Sequence, residues 1–458
     1  MTVLIWATAL LVAAVPAARG QVPQGTPPGD EGHRGDLLSE LARAAAAFEA
    51  DSGDATRYEY ASLLFEAGLF EEARATVAPL VAVDEPSAEV ARLAGRLAYY
   101  LGDYGAAERI FAGSLERDPE NARALTGLVF THYQTNSFSR CSELAGKGGD
   151  DVRLPHLDLM LAFGDDAPYR MEWRGPTSTE VPFISVDPLP VVEVEIEGRK
   201  ISAIIDTGGD LFILDTDIAA ELGIEPVASM TGMFAGGMQA EIGFAKASSL
   251  KLGGVTMRSV PISLLPTKPL SFGELEIGGI IGTSVLRQFL STIDYPNGRL
   301  VLRERTEGAS DAFLAESTGH VVEETPFYLQ GTHFLLAHGS LNGHGGLLFH
   351  VDSGLAGLPA FATTEQTLEY VGIPVPEVAV HEGVIGGGGG GFAVGEFPIA
   401  SLGLGRLEQP NLVGSFGAQP PGSYRMLGFI VDGLISHNFL RRYAWTLDFD
   451  RMRMVFAQ

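Results

Sequence analysis

The chain has 458 residues and a single cysteine, Cys141, so no disulfide bond can form within it. Positive charge is also scarce: 31 Lys and Arg stand against 57 Asp and Glu, which gives a formal net charge of −26. Nucleic acids and anionic membranes repel such a chain, so neither is an expected partner. Hydrophobic residues make up 46% of the sequence. That share is typical of folded globular proteins, and the length predicts roughly three folded units.

Long apolar runs are absent except at the start, where residues 2–18 carry no charge. Ala18-Arg19-Gly20 then places small residues at alternating positions, as signal-peptidase sites require, so we expect residues 1–20 to be a cleaved signal peptide. No Lys or Arg precedes the run, and an uncleaved membrane anchor is the alternative. The shortness of the run and Pro16 within it favour cleavage. The predicted location is exported, periplasmic or extracellular, without a membrane attachment after cleavage.

Proline, glycine and charged residues dominate positions 21–35, which predicts a flexible linker. From 36 to 165 the chain is rich in Ala, Leu, Glu and Arg with helical spacing, and it repeats. Three sets of positions recur at intervals of 34 residues: Gly68, Gly102 and Asn136; Phe70, Tyr104 and Phe138; Ala73, Ala107 and Cys141. Pro86 and Pro119 close the first two units.

This period, with small, aromatic and proline positions in a fixed order, resembles tetratricopeptide repeats. Residues 36–165 are therefore predicted to form an all-α helical repeat domain. Such domains usually bind a protein partner on their concave face; the alternative is that this one only spaces the chain or docks onto the remainder. Cys141 occupies a small packed position, which predicts a buried and inert thiol.

Beyond a polar boundary at 163–180, β-branched and apolar runs alternate with glycine-rich turns, as in β-sheets. The same landmarks occur twice in this part, which predicts one lobe over 170–306 and a second over 318–458. The matching segments are Pro182-Phe183 and Pro326-Phe327, Asp206-Thr207-Gly208 and Asp352-Ser353-Gly354, Gly279-Ile280-Ile281-Gly282 and Gly433-Leu434-Ile435-Ser436, and Ile293-Asp294-Tyr295 and Leu447-Asp448-Phe449. Weak identity in strict order is typical of two copies of one fold.

Each copy resembles one lobe of a retropepsin-like aspartic peptidase, the retroviral type in the form that bacteria use. An Asp-Thr/Ser-Gly loop follows an apolar strand, a glycine-rich hairpin comes next, and a hydrophobic-hydrophobic-Gly segment precedes a short helix. The resemblance implies a multidomain protein, in which the all-α helical repeat is followed by an all-β, double-lobed acid-protease fold.

The resemblance further implies that Asp206 and Asp352 are catalytic and face each other across a pseudo-twofold axis. Two close carboxylates cannot both ionise easily, so one would keep a proton while the other activates a water for attack on the peptide carbonyl. The hydroxyls would bind the opposite loop, and the glycines would allow close approach. These dyad-supporting residues are Thr207, Gly208, Ser353 and Gly354. No metal and no cofactor are required.

Glycine-rich stretches downstream of each catalytic loop predict two flaps that close over an extended peptide. The first is 231–238, and the second contains six consecutive glycines, 386–391. The predicted flap and substrate-binding residues are Phe234, Gly236, Gly237, Gly387 and Gly388. Plain surface loops are the alternative; recurrence of the position in both copies favours flaps.

The second copy departs from the family pattern. Asp210 follows the first loop, whereas no acid follows Gly354, and His350 stands where an apolar residue is usual. The neighbouring histidines fit no zinc spacing and are predicted to be ordinary strand or surface residues. They are His320, His333, His338 and His344. Asp294 and Asp448 recur in both copies and are predicted to act in turns or lobe packing.

Together these patterns predict an exported aspartic endopeptidase that hydrolyses a peptide or protein substrate with the Asp206 and Asp352 pair. The alternative is a catalytically weak or inactive peptide-binding scaffold that uses the acid-protease cleft and the repeat surface.

Overall fold

The computed structural model describes residues 4–6, 9–10, 34–83, 85–148, 154–234, 239–317, 319–357, 359–380, 384–386, 393–417 and 427–458. Most of the predicted signal peptide and nearly all of the linker lie outside these ranges. So do four of the predicted flap glycines: Gly236, Gly237, Gly387 and Gly388. Within the described ranges, no helix has the length and apolar character needed to cross a bilayer.

Helices fill the first part of the chain. They are α1 (Arg34–Ala50), α2 (Asp54–Glu66), α3 (Phe70–Val81), α4 (Ala88–Tyr100), α5 (Tyr104–Arg117), α6 (Ala122–Gln134) and α7 (Pro155–Leu161), with a 3-10 helix over Phe138–Leu144. The side chains of Ser87, Asp103 and Asn121 cap the first turns of α4, α5 and α6. Short turns join α2 to α3, α4 to α5 and α6 to the 3-10 helix, so successive helices form hairpins.

The 34-residue period marks these turns. Gly68, Gly102 and Asn136 have positive φ angles of 80°, 76° and 56°. Glycine and asparagine enter this region most readily, which explains why small residues recur where the helices reverse. The periodic alanines and Cys141 are fully buried between the helices, and Cys141 is a free thiol as expected.

The remainder of the chain is mainly β-structure. In the first lobe the strands are β3 (Arg170–Trp173), β4 (Ser178–Ser185), β5 (Val191–Ile196), β6 (Arg199–Ile205), β7 (Phe212–Leu214), β8 (Ala228–Phe234), β9 (Gln239–Leu252), β10 (Val255–Leu264), β11 (Gly279–Ile281), β12 (Phe289–Asp294) and β13 (Arg299–Glu304). The helices of this lobe are α8 (Thr216–Glu221) and α9 (Thr283–Leu286), with a 3-10 turn at Lys268–Leu270. Near the start of the chain lie β1 (Leu4–Trp6) and β2 (Ala9–Leu10), and β2 pairs with β8.

Helix α10 (Ala309–Glu316) connects the lobes. The strands of the second lobe are β14 (Val321–Pro326), β15 (Tyr328–Gln330), β16 (Phe334–Leu341), β17 (His344–Val351), β18 (Phe361–Thr363), β19 (Ala379–Val380), β20 (Val384–Gly386), β21 (Ala393–Leu404), β22 (Leu407–Phe416), β23 (Gly433–Ile435), β24 (Ala444–Asp448) and β25 (Arg453–Ala457). Its helices are α11 (Glu365–Tyr370) and α12 (His437–Leu440), and β20 pairs in parallel with β1.

The two lobes repeat one pairing scheme around their central strands. In the first, β6 is parallel to β11, β11 is antiparallel to β7, and β7 is parallel to β10. In the second, β17, β23, β18 and β22 make the same series of pairings. The duplication read from the order of sequence landmarks is therefore present in the sheet topology.

A single antiparallel ladder joins the lobes, in the order β4, β13, β12, β24, β25 and β14. Its centre is the pairing of β12 with β24, which are corresponding strands of the two copies. There the hydroxyls of Thr292 and Thr446 hydrogen-bond to each other at 2.7 Å. Equivalent residues meet at this point, so the axis that relates the lobes passes between these strands.

The helical part packs against both lobes. Phe70 at the start of α3 lies 5.0 Å from the Tyr328 ring and 5.2 Å from the Phe429 ring, measured between centroids. Its interhelical turns also contact the β part: Gly68 packs on Leu348, Gly102 packs on Met452, and Asn136 donates a hydrogen bond to Gln288 at 2.8 Å. One apolar core therefore runs from the helices into both lobes.

Candidate active site

The two predicted aspartates sit at equivalent positions, each one residue beyond a central strand. Asp206 follows β6, and its backbone N–H donates to the carbonyl of Ile281 at 3.0 Å. Asp352 follows β17, and its N–H donates to the carbonyl of Ile435 at 2.9 Å. The acceptors belong to β11 and β23, so the same strand pairing fixes both loops.

Within each loop the carboxylate is held by a backbone amide. The N–H of Gly208 donates to Oδ1 of Asp206 at 2.8 Å, and the N–H of Gly354 donates to Oδ1 of Asp352 at 2.7 Å. The Asp206 carboxyl lies against the second loop, where a Cβ added to Gly354 would come within 2.2 Å of it, and the charge of Asp352 acts on its pKa. Because the two carboxyl groups interact in this way, they are able to share a proton and a water.

Four hydrogen bonds of 3.0 Å lock the two loops together. The Thr207 hydroxyl accepts from the N–H of Ser353 and donates to the carbonyl of Val351. The Ser353 hydroxyl accepts from the N–H of Thr207 and donates to the carbonyl of Ile205. Both hydroxyl residues are fully buried, so water cannot hydrogen-bond to them. The four bonds between the loops therefore satisfy polar groups that would otherwise have no partner.

Close approach depends on glycine at one point in particular. A Cβ placed on Gly354 would overlap the carboxyl group of Asp206 across the interface. All six residues predicted for the dyad and its support therefore lie together at the junction of the lobes. The remaining described flap residue, Phe234, ends β8 and is fully buried.

Electrostatics favour a shared proton. Burial raises the pKa of the Asp206 carboxyl well above its ordinary value, and the charge and hydrogen bond of Asp352 raise that pKa further. The N–H groups of Gly208 and Gly209 act in the opposite direction but do not overcome the increase. The raised pKa of Asp206 therefore favours retention of a proton on this carboxyl, and the titrations of two such close groups are coupled.

A tyrosine and a histidine near the dyad had no assigned role in the sequence patterns. The Tyr295 hydroxyl and Nδ1 of His437 lie 3.1 Å apart, and both side chains are buried. Burial and the charges of Asp352 and Asp206 raise the pKa of Tyr295. Burial, aided by Arg441, lowers the pKa of His437 to about 3, so this pair stays neutral and adds no cation beside the dyad.

The acid that follows the first loop is also part of the site. Asp210 is buried, and its side chain accepts hydrogen bonds from Ser284 at 2.6 Å, from Thr332 at 2.7 Å and from Tyr133 at 2.9 Å. The sequence pattern singled out Asp210 but gave no partner for it. The sequence does not identify Tyr133 as a partner of Asp210, because Tyr133 lies inside the helical repeat.

The histidines of the second lobe are partly structural. His350 is buried two residues before Asp352 and stacks on Phe334 with centroids 4.9 Å apart. Burial lowers the pKa of His350 to about 3, so it is neutral near the loop. Across the described ranges, no group of His, Cys, Asp and Glu has an arrangement that could hold a metal ion.

The recurring acids after the short helices have turn roles. Asp294 accepts from the Asn297 side chain and from Arg299 at 2.9 Å each. Asp448 accepts from Arg453 at 3.1 Å and from the Ser310 hydroxyl. Both carboxylates are used in hairpin and lobe packing away from the catalytic loops.

Comparison with known proteins shows what parts of the chain resemble. The family model described as "Aspartyl protease" matches residues 192–285, which contain the Asp206-Thr207-Gly208 loop and the segment from 279 to 282. This part of the first lobe is similar to that family. A matching solved structure is a retropepsin-like aspartic protease from Rickettsia conorii, with 17% identity over 30% of this chain and 94% of that chain, and a TM-score of 0.21. No curated protein matches the chain significantly.

The segment that matches the family model thus lies in the first half of the β part, and the helical domain precedes it. The second half has the same strand pairing and supplies the second Asp-Ser/Thr-Gly loop. The resulting architecture is a helical domain followed by two β lobes that share one central strand pairing.

Proposed function

We propose that this protein is an exported aspartic endopeptidase in which Asp206 and Asp352 form one catalytic dyad. One observation carries the proposal: the loops that hold the two carboxyl groups come from separate lobes and are cross-linked by the hydroxyls of Thr207 and Ser353. A protein that only bound peptides would not need these two loops to be cross-linked to each other.

The proposed chemistry follows from the shared proton. The ionised carboxylate takes a proton from a water held between the two side chains, and the water oxygen attacks the peptide carbonyl carbon. The protonated carboxyl gives its proton to the carbonyl oxygen as the tetrahedral intermediate forms. The other carboxyl then passes the proton that it took from water to the amide nitrogen, the C–N bond breaks, and a hydroxyl proton of the intermediate returns to the first carboxylate as the acid and amine products separate. No side chain becomes covalently attached to substrate in this scheme.

The pH dependence has a stated direction. The active form carries one proton on the pair, so activity falls when both carboxyls are protonated and again when both are ionised. Because the pKa of Asp206 is raised, the loss at higher pH occurs well above the ordinary titration range of an aspartate. The expected profile of kcat/KM against pH is bell-shaped.

The test uses the full chain and a library of internally quenched peptides. Wild type is expected to cleave peptides and to be inhibited by pepstatin, while Asp206→Asn and Asp352→Asn each abolish cleavage. Asp217→Asn is the matched control, because that acid is exposed in α8 and pairs with Lys268. Cleavage that survives either dyad substitution, or peptide binding without any turnover, contradicts the proposal.

Export is a separate part of the proposal and rests on the uncharged apolar run at residues 2–18. Expression of the full chain in a bacterial host is expected to yield a product shortened near Gly20 outside the cytoplasm. Intact mass of the purified protein measures this directly. A full-length product retained in the cytoplasm contradicts export but leaves the proposed chemistry untouched.

A further inference from the structure

We propose that Tyr133 of the helical domain is a positioning residue of the protease site, so that the helical domain is a working part of the catalytic unit. The inference rests on the proposed function of the Asp206 and Asp352 pair. It assigns to α6 the task of holding the first catalytic loop in place from behind.

The contact is made through Asp210, which lies in the same loop as Asp206. Oδ1 of Asp210 accepts from the Tyr133 hydroxyl at 2.9 Å and from the Ser284 hydroxyl at 2.6 Å. Oδ2 accepts from the Thr332 hydroxyl at 2.7 Å and lies 3.4 Å from Nε2 of His156. The helical domain, the first lobe and the second lobe therefore converge on one carboxylate.

The Asp210 carboxylate is buried and remains ionised. Burial alone would raise the pKa of Asp210, but the hydrogen bond from His156, the charge of His333 and the hydrogen bond from Ser284 hold that pKa below its ordinary value. Tyr133 is 1% exposed, so water cannot replace its hydroxyl. Hydrogen bonds to a buried charge are among the strong ones in proteins.

Backbone bonds connect Asp210 to the catalytic residues. The N–H of Ser284 donates to the carbonyl of Asp210, and the N–H of Thr283 donates to that of Gly209, both at 2.8 Å. The Thr283 hydroxyl donates to the carbonyl of Thr207, also at 2.8 Å. A displacement of Asp210 is therefore passed on to the residues that directly follow Asp206.

A second set of hydrogen bonds holds the end of α6 next to this loop. Arg287, which is 3% exposed, donates to the backbone carbonyl of Gln134 at 2.6 Å and also contacts its side-chain oxygen. Nη2 of Arg287 donates to the carbonyl of Tyr133 at 3.3 Å. The guanidinium is buried against these groups, so withdrawal of α6 would leave a buried charge without these hydrogen-bond acceptors.

The second lobe supplies an internal comparison. The position equivalent to Asp210 is Ala356, which is buried and has no charge. The residue equivalent to Arg287 is Arg441, whose side chain is 43% exposed and pairs with Asp187 at 3.4 Å. The network is therefore present at the loop that the helical domain supports and is missing at its counterpart.

The experiment compares Tyr133→Phe with Tyr100→Phe in the full chain. Tyr100 is also buried in the helical domain, and its hydroxyl bonds to Arg96 away from the catalytic loops. With the quenched peptide that wild type cleaves fastest, Tyr133→Phe is expected to lower kcat about tenfold with KM changed less than about twofold, which corresponds to about 1.4 kcal/mol. Tyr100→Phe is expected to keep the wild-type kcat.

A double-mutant cycle separates positioning from loss of folding. In an Asp210→Asn background the Tyr133 hydroxyl loses its charged acceptor, so Tyr133→Phe is expected to lower kcat less than about twofold there. Equal kcat for Tyr133→Phe and Tyr100→Phe, or equal effects of Tyr133→Phe in both backgrounds, overturns the inference. Cleavage that survives Asp206→Asn instead overturns the proposed function, so the two failures are distinguishable.

Discussion

The cross-linked loops make the strongest prediction about stability. Replacing Thr207 by valine keeps the shape of the side chain but removes the hydroxyl, so the N–H of Ser353 and the carbonyl of Val351 each lose a partner. Both groups are buried, and neither can turn to water. An unsatisfied buried group costs about 1–3 kcal/mol, so Thr207→Val is expected to lower the free energy of unfolding by about 2–6 kcal/mol.

Thr207→Ser is the matched control because it keeps both hydrogen bonds and loses only a methyl group, worth about 1 kcal/mol. Denaturant unfolding of both variants is followed by tryptophan fluorescence, to which Trp445 contributes from a fully buried position in the strand that pairs with β12. The valine variant is expected to unfold at a clearly lower denaturant concentration than the serine variant. Equal midpoints would refute the role given to the hydroxyl.

The same bonds predict non-additive effects. The two hydroxyls act at one interface, where each accepts from the backbone N–H of the other residue. Once Thr207→Val has loosened the interface, Ser353→Ala is expected to cost less than it does in the wild-type chain. Strict additivity of the two unfolding free energies would show that the loops are held by other contacts.

Three further outcomes follow from individual residues. Gly354→Ala is expected to abolish cleavage because its Cβ overlaps the Asp206 carboxyl, whereas Gly209→Ala, with 3.5 Å to the nearest atom, keeps activity; peptide assays compare them. Burial raises the pKa of Asp432 from 3.8 to about 6, although the charge of a nearby buried arginine acts to lower it. Asp432 therefore binds its proton more tightly in the folded protein than in the unfolded protein. Unfolding free energy should therefore fall by about 3 kcal/mol between about pH 4 and about pH 6 relative to Asp432→Asn, as measured by denaturation at each pH. The Cys141 thiol, whose pKa burial raises to about 12, should resist alkylation in the native protein and react only after unfolding, as followed by mass spectrometry.

The sequence could predict that Asp206 and Asp352 lie in equivalent loops because the signals for these loops are local. An apolar strand that ends in Asp-Thr/Ser-Gly fixes the position of the acid, and a second copy supplies its partner. The helical periodicity likewise predicted helices over the first part of the chain, which contains α1 to α7. In both cases the residues that define the element are close in sequence, so no knowledge of distant contacts is required.

The docking of the helices could not be read from the same patterns. Tyr133 looks like any buried aromatic of a helical repeat, and its partner Asp210 lies in another domain. The recurring glycines had a second meaning as well, because Gly68 and Gly102 both reverse the chain and touch Leu348 and Met452. A repeat in the sequence shows which positions are equivalent, but it does not show which residues of the rest of the chain pack against them.

The second lobe has Ala356 where the first has Asp210, and this difference can be related to the way the two loops are joined. Four hydrogen bonds join the Thr207 and Ser353 loops, so an anchor that fixes the first also restrains the second. Asp210 is held by three parts of the chain, so the first loop has an anchor that the loop containing Ala356 lacks. The acid and its contact with the helical domain thus occur together in one lobe, and both are missing in the other.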